Sequence, residues 1–244
     1  MIDVDSLVAA LAFAGIFLLG RRVHVLRSRR AALSLGAGVS TAYVFIHMLP
    51  EMAEAGNVFV EATSSLALPW PELRIYAAAL VGFLIFYGLE NLVAWKRTRV
   101  ERDDAEGEGL GAVFFLHVGG FALYVSLVSY LMVHGISENA VPVALYAVAM
   151  GLHFLGIGHS LEREHGETYD RIGRFILAAA AVLGWVSGVA IGIPKTALVT
   201  GLGLVSGGVV MNSMIMELPS EKDGRFWPFV TGAAGYTALL ASIR

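Results

Sequence analysis

The sequence contains no cysteine, and only 15% of its 244 residues are charged. The missing thiols exclude disulfides, thiolate metal ligands and a cysteine nucleophile. Soluble domains carry about 25% charged residues, whereas this chain is 57% hydrophobic, with a mean hydropathy of +0.69. That apolar surplus is too large for one aqueous core, and too little polar chain remains for a soluble enzyme on a single anchor. The composition therefore indicates a polytopic membrane protein.

The apolar runs predict eight transmembrane helices, so that residues 1–244 form one all-α transmembrane domain. A helix needs about 20 mostly apolar residues to cross a bilayer. The first run resembles the core of a signal peptide, but Asp3 and Asp5 precede it and arginines follow it, which is the opposite of the usual order. The predicted spans lie near 4–20, 32–50, 74–95, 110–133, 140–159, 173–192, 196–218 and 226–243.

The basic residues predict the orientation of these spans. Of the 17 lysines and arginines, all but Arg74, Lys195 and Arg244 fall in the odd-numbered loops. Because cytoplasmic loops are enriched in Lys and Arg, we expect both termini outside, in a plasma or inner cell membrane. The formal charge of −3 and the lack of a basic patch argue against a nucleic-acid partner. A homodimer is compatible with the sequence, which leaves the oligomeric state open.

The loops are too short to form domains. The longest outside connection, near 51–73, contains a turn signal at Pro69-Trp70-Pro71. The mixed-charge segment 96–104 is typical of a solvated cytoplasmic linker.

Two segments of the chain are alike and lie at opposite faces in this topology. Tyr43–Glu51 closes the second span at the outer face, and Asn212–Glu221 closes the seventh at the inner face; each carries Leu-Pro beside a Glu. Such a match is what an inverted-topology repeat produces, with spans one to three related to spans six to eight. The alternative is chance, because membrane helices often end in Pro and Glu.

The same segments carry a family resemblance. Phe45–Glu51 reads FIHMLPE and resembles the second-span ending of the ZIP (Zrt/Irt-like) divalent metal transporters, F-x-H-L-L-P-E, while Gly207–Pro219 resembles their seventh-span ending. The resemblance implies eight spans in a 3+2+3 inverted-repeat arrangement with both termini outside. It also implies that spans one, four, five and six move against the others.

The resemblance places metal ligands in spans four and five, where the family reads H-N/S-x-x-D/E-G and H-E-x-P-H/E-E/G. Only the leading histidines, His117 and His153, are retained here as ligands. The remaining ligand positions hold side chains that cannot coordinate a cation, so the usual two-metal site cannot form: Val118, Phe121, Phe154 and Ile157.

His117 and His153 are the leading metal-ligand candidates. Each lies roughly 10 Å from the cytoplasmic face on antiparallel helices, so we expect them side by side. Imidazole suits zinc, iron, copper and nickel, but two imidazoles without a carboxylate predict weak binding. Interhelical hydrogen bonding without metal is the alternative interpretation. Further candidates are weaker, and the segment 159–167 is more typical of a solvated helix end: Glu90, Asn91, His159, Glu162, Glu164 and His165.

Two functions follow as hypotheses. The first is a ZIP-like secondary transporter of a divalent transition metal, zinc or iron, with the ion as substrate and no resident cofactor. The alternative is a ZIP-derived membrane protein that does not transport metal and acts as a sensor, a scaffold or a carrier of another solute. No paired carboxylates, serine–histidine constellation or His-Glu-x-x-His pattern indicates an enzyme.

Overall fold

A computed structural model describes residues 4–20, 29–63, 73–102, 108–134, 143–213 and 225–242, and contains no strand among them. Helices are the expected solution in lipid, where every backbone polar group must be satisfied within the segment. The helices are α1 (Val4–Leu19), α2 (Arg29–Tyr43), α3 (Leu49–Thr63), α4 (Arg74–Arg102), α5 (Glu108–His134), α6 (Val143–Thr168), α7 (Arg174–Ala190), α8 (Lys195–Asn212) and α9 (Phe226–Ala241).

The fold is therefore all-α, and four helical stretches are long and apolar enough to cross a membrane: Ala31–Asn57, Arg74–Arg99, Gly111–His134 and Val143–Ala190. α1 is apolar but shorter. Many large apolar side chains point outward, among them Leu123 and Leu183, which are 73% and 63% exposed. Such a surface is unfavourable in water and ordinary in lipid. The count of eight spans stays a prediction.

A π-helical turn, Val44–Met48, joins α2 directly to α3. The sequence placed the end of the second span at residue 50 and a connection after it, whereas the helix continues to Thr63. Pro50 lacks an N–H and would clash with the carbonyl four residues earlier in an unbroken α-helix. The wider turn just before it accommodates that change in spacing. The predicted turn at 69–71 lies outside the described residues.

A second π-helical turn, Tyr169–Gly173, joins α6 to α7. α6 extends nine residues beyond the predicted span end at 159, so the segment 159–167 is helical. The direction changes at Gly166, which has φ 52° and ψ −125°. Only glycine adopts this conformation without strain, because it has no Cβ.

α4 and α8 pack with their backbones in contact. A Cβ on Gly207 would meet the carbonyl oxygen of Ala79 and the nitrogen of Phe83, and a Cβ on Gly82 would meet the carbonyl oxygen of Leu204. Residues later in α8 contact residues later in α4, so the two helices run parallel. Glycine at these positions allows the two helix backbones to approach closely.

α2 and α9 make the same contact at different residues. A Cβ on Gly38 would meet the carbonyl oxygen of Phe229 and the nitrogen of Ala233, and one on Gly232 would meet the carbonyl oxygen of Leu35. The backbone atoms and residue spacings are those of the α4–α8 pair.

Four further helices, α1, α5, α6 and α7, surround an aromatic core. The Phe154 ring lies 5.0 Å from the Phe13 ring and 5.4 Å from the Phe17 ring, centroid to centroid. Gly184 lets α7 approach the backbone of α5 at Ser126. Gly192 makes no comparable contact: a Cβ there would meet nothing within 4 Å in the described part of the chain.

Candidate metal centre between α4, α5 and α6

His117 on α5 is the centre of a polar cluster and is itself fully buried. Its Nε2 lies 2.9 Å from Oε1 of Glu90 on α4. Its Nδ1 lies 3.0 Å from Nε2 of His165 and 3.4 Å from Oε2 of Glu164, both on α6. Each ring nitrogen therefore faces a different set of partners.

The long α6 brings two of these residues to the cluster. Glu164 and His165 occupy its last turns, just before the bend at Gly166. The predicted span end at 159 would have left them in a solvated segment. Close packing of α4 on α5 places Glu90, since a Cβ on Gly120 would contact the Leu89 side chain.

Arg97 contributes a positive charge. Its Nη1 lies 3.7 Å from Oε1 of Glu164. The segment 96–104 was expected to be a solvated linker, but α4 continues to Arg102 and keeps Arg97 on a helix. Arg97 lies seven residues after Glu90, which returns it to the same face of α4 two turns later. This seven-residue spacing is the feature of the sequence from which the position of Arg97 near Glu90 could have been predicted.

The cluster has the donor set of a transition-metal site. One ligand atom each from His117, Glu164 and His165 lies within 4.8 Å of the others. Zn–N and Zn–O bonds are about 2.0–2.2 Å, which places tetrahedral ligands about 3.4 Å apart. The distances from His117 Nδ1 to His165 and to Glu164, 3.0 and 3.4 Å, are close to that spacing.

Glu90 suits the role of an orienting carboxylate. Metal-binding histidines commonly donate the N–H of their second nitrogen to a carboxylate, which fixes the tautomer and ring orientation. With Nδ1 turned to the ion, His117 would donate from Nε2 to Glu90 in this manner.

His153 lies in a different environment from His117. Its Nε2 shares a hydrogen bond of 2.9 Å with the hydroxyl of Tyr124, and both side chains are buried. Tyr124 is seven residues from His117 on α5, about 10 Å along the helix axis. The structure thus gives the two leading candidates different partners. The Tyr124–His153 pair matches the hydrogen-bonding alternative considered for these histidines.

Two further candidates have contacts within their own helices. Asn91 donates from Nδ2 to the carbonyl of Tyr87 on its own helix, at an exposed position. His159 Nδ1 lies 3.9 Å from Oε2 of Glu162, three residues away on α6. Neither pair includes His117.

The fold and the cluster together define an all-α protein with helices of membrane-spanning length and a histidine–carboxylate site around one buried imidazole. No protein-family model, curated protein or solved structure matches the chain. The resemblance to ZIP transporters therefore depends on the sequence motifs. In the motif Phe45–Glu51, His47 lies in the first π-helical turn, and its Nε2 is 3.5 Å from Oε2 of Glu51.

Proposed function

We propose that this protein is a ZIP-like secondary transporter that moves a divalent transition-metal ion, zinc or iron, across a cell membrane. One observation carries the proposal: a fully buried histidine, His117, with two carboxylates and a second imidazole around its ring. Ionisable groups inside a membrane protein are costly and usually mark a substrate or ion pathway.

The proposed ligands are His117 Nδ1, Glu164 and His165, with Glu90 orienting the His117 ring. Carboxylates matter because a divalent ion leaving water needs compensating charge. The weak binding expected from two imidazoles alone is replaced by tighter binding to a set that includes Glu164. Arg97 balances the charge of Glu164 when no ion is bound.

The proposal includes eight spans in a 3+2+3 inverted repeat with both termini outside. The matched glycine contacts support it, because Gly38 and Leu35 on α2 have the same backbone contacts as Gly207 and Leu204 on α8. Each of these pairs is separated by 169 residues in the chain, and so are Leu49 and Leu218 of the two Leu-Pro segments. The sequence match and the helix packing are independent observations, and both support the same alignment of the two halves of the chain.

One observation favours the alternative of a ZIP-derived protein that does not transport metal. The four positions where the family pattern has ligands are filled by side chains with no exposed surface: Val118, Phe121, Phe154 and Ile157. These apolar side chains fill the region where the resemblance would place the ion.

Metal flux into liposomes containing the purified protein separates the two functions. We expect zinc or iron uptake by the natural sequence and loss of at least tenfold in His117→Ala and His165→Ala. His134→Ala is the matched control, since it removes an imidazole from the far end of α5. No flux of any divalent metal, with metal binding retained, would favour the non-transporting alternative.

Reporter fusions test the topology separately. A fusion at Gly107, in the third loop, should report the cytoplasm, and a fusion at Arg244 should report the exterior. If both reported the same side, the proposed repeat would be wrong as well.

A further inference from the structure

Asn212, the last residue of α8, has a buried side-chain amide for which the described residues provide no hydrogen-bond partner. The residue has no exposed surface, and neither Oδ1 nor Nδ2 has a partner in the structure as described. A buried amide that makes no hydrogen bond is costly, most of all inside a membrane where water is absent. A functional partner such as an ion would account for an amide at this position.

The helix packing places Asn212 at the depth of Glu90. One turn earlier on α8, a Cβ on Gly208 would contact the rings of Phe86 and Tyr124. Asn212 follows Gly208 by four residues, and Glu90 follows Phe86 by four residues on the parallel helix α4. One turn along each helix keeps both residues on the same faces. Asn212 and Glu90 therefore lie at the same level, on helices in backbone contact.

α5 packs against α4 and α8 at the same level. The Phe86 ring packs on the rings of both Phe121 and Tyr124, with centroids 5.7 and 5.0 Å apart. One turn before Phe121, His117 directs its Nε2 at Glu90. Glu90, His117 Nε2 and Asn212 thus belong to one level of the bundle.

We propose that these three groups form a second ion position, on the opposite side of the His117 ring from Glu164 and His165. It would bind the same divalent ion through the Nε2 nitrogen of His117 and one oxygen each of Glu90 and Asn212. Because the ion is the proposed substrate, this inference rests on the proposed function. A neutral imidazole offers a lone pair at only one nitrogen. The two positions are therefore occupied alternately, and the ion passes from one edge of the His117 ring to the other.

Asn212→Leu removes the amide and keeps a side chain of similar size. We expect this variant to bind zinc within threefold of the natural affinity, through the position at Glu164 and His165, while liposomal uptake falls at least tenfold. Its Tm should rise, because an unpartnered polar group is replaced by an apolar one. A purely structural role of the amide would lower the Tm instead.

Ser206→Ala is the matched control. It removes a different buried polar group of α8, a hydroxyl that also lacks a hydrogen-bond partner in the described chain, and we expect uptake within twofold of the natural protein. Natural uptake by Asn212→Leu, or a loss of zinc affinity as large as that of His165→Ala, would overturn the second position.

A binding experiment tests the second position without transport. His165→Ala should bind zinc more weakly through Glu90, His117 and Asn212, and adding Asn212→Leu should abolish that remaining binding. Remaining binding that survives the double substitution would overturn the inference. If the natural protein binds zinc but transports nothing, the transport proposal fails while this comparison still decides the second position. If it binds no divalent metal, both fail.

Discussion

Oε1 of Glu90 lies 2.9 Å from Nε2 of the buried His117, so a carboxylate on α4 determines how an imidazole on α5 presents its other nitrogen. The two residues are 27 positions apart in the chain. Their contact links the buried part of the bundle to the proposed ligands at the end of α6.

Glu90→Gln tests this orienting role. The amide keeps the size of the side chain but cannot accept as strongly from the imidazole N–H, so zinc affinity should fall about 10- to 100-fold. Titration of the purified protein with zinc against a competing chelator measures the change. Glu54→Gln, an exposed acidic residue on α3, serves as the control and should leave the affinity unchanged. Unchanged affinity in Glu90→Gln would show that His117 is held by other contacts.

The matched glycine contacts make a quantitative prediction about the repeat. Gly38→Ala and Gly207→Ala each place a methyl group against the backbone of a neighbouring helix, which must move apart. We expect each to lower the free energy of unfolding by about 1–3 kcal/mol, and the two values to agree closely. Thermal or denaturant unfolding in detergent measures both.

Gly235→Ala on α9 is the control for this pair, since a Cβ there would meet nothing within 4 Å among the described residues. Its stability should be unchanged or slightly raised, because alanine favours helix more than glycine. A large loss for one glycine of the pair and none for the other would argue against equivalent packing.

The helix positions follow from the apolar runs, because lipid leaves the backbone few other conformations. The position of His117 within an apolar helix follows in the same way, but its burial depends on how that helix packs, since Leu123 on the same helix is 73% exposed. The end of α6 does not follow, because the alternating charges of 159–167 are equally typical of a solvated turn. Only the tertiary contact with His117 distinguishes the two.

The contact partners of the histidines could not be predicted from the sequence either. His117 and His165 are 48 residues apart, and helical periodicity gives the face of each helix without its rotation against a neighbour. Equal depth suggested that His117 and His153 would meet. The structure gives His153 the hydroxyl of Tyr124 as a hydrogen-bond partner, on the same helix as His117 but two turns away.

Gly166→Ala tests the bend that follows His165. A Cβ at φ 52° and ψ −125° is strained, and such conformations cost about 1–3 kcal/mol. The Tm should fall, and zinc affinity should fall with it, because relief of the strain moves the end of α6 away from His117. Gly88→Ala, at an exposed position of α4, should do neither. A lower Tm with natural zinc affinity would mean that the bend does not position His165.

The last prediction separates the two buried histidines by their response to zinc. An ion that binds only the folded state stabilises it by about 2.7 kcal/mol at 100 times its Kd. His117→Ala should lose this zinc-dependent rise in Tm, because it removes the central ligand of the cluster. His153→Ala should lower the Tm without zinc, since the Tyr124 hydroxyl loses a buried partner at a cost of about 1–3 kcal/mol. It should nevertheless keep the full zinc-dependent rise, as none of the proposed ligands is touched. Differential scanning fluorimetry of both variants with and without zinc measures the four values. Loss of the zinc response in His153→Ala, with retention in His117→Ala, would move the ion from the cluster at the end of α6 to the Tyr124–His153 pair.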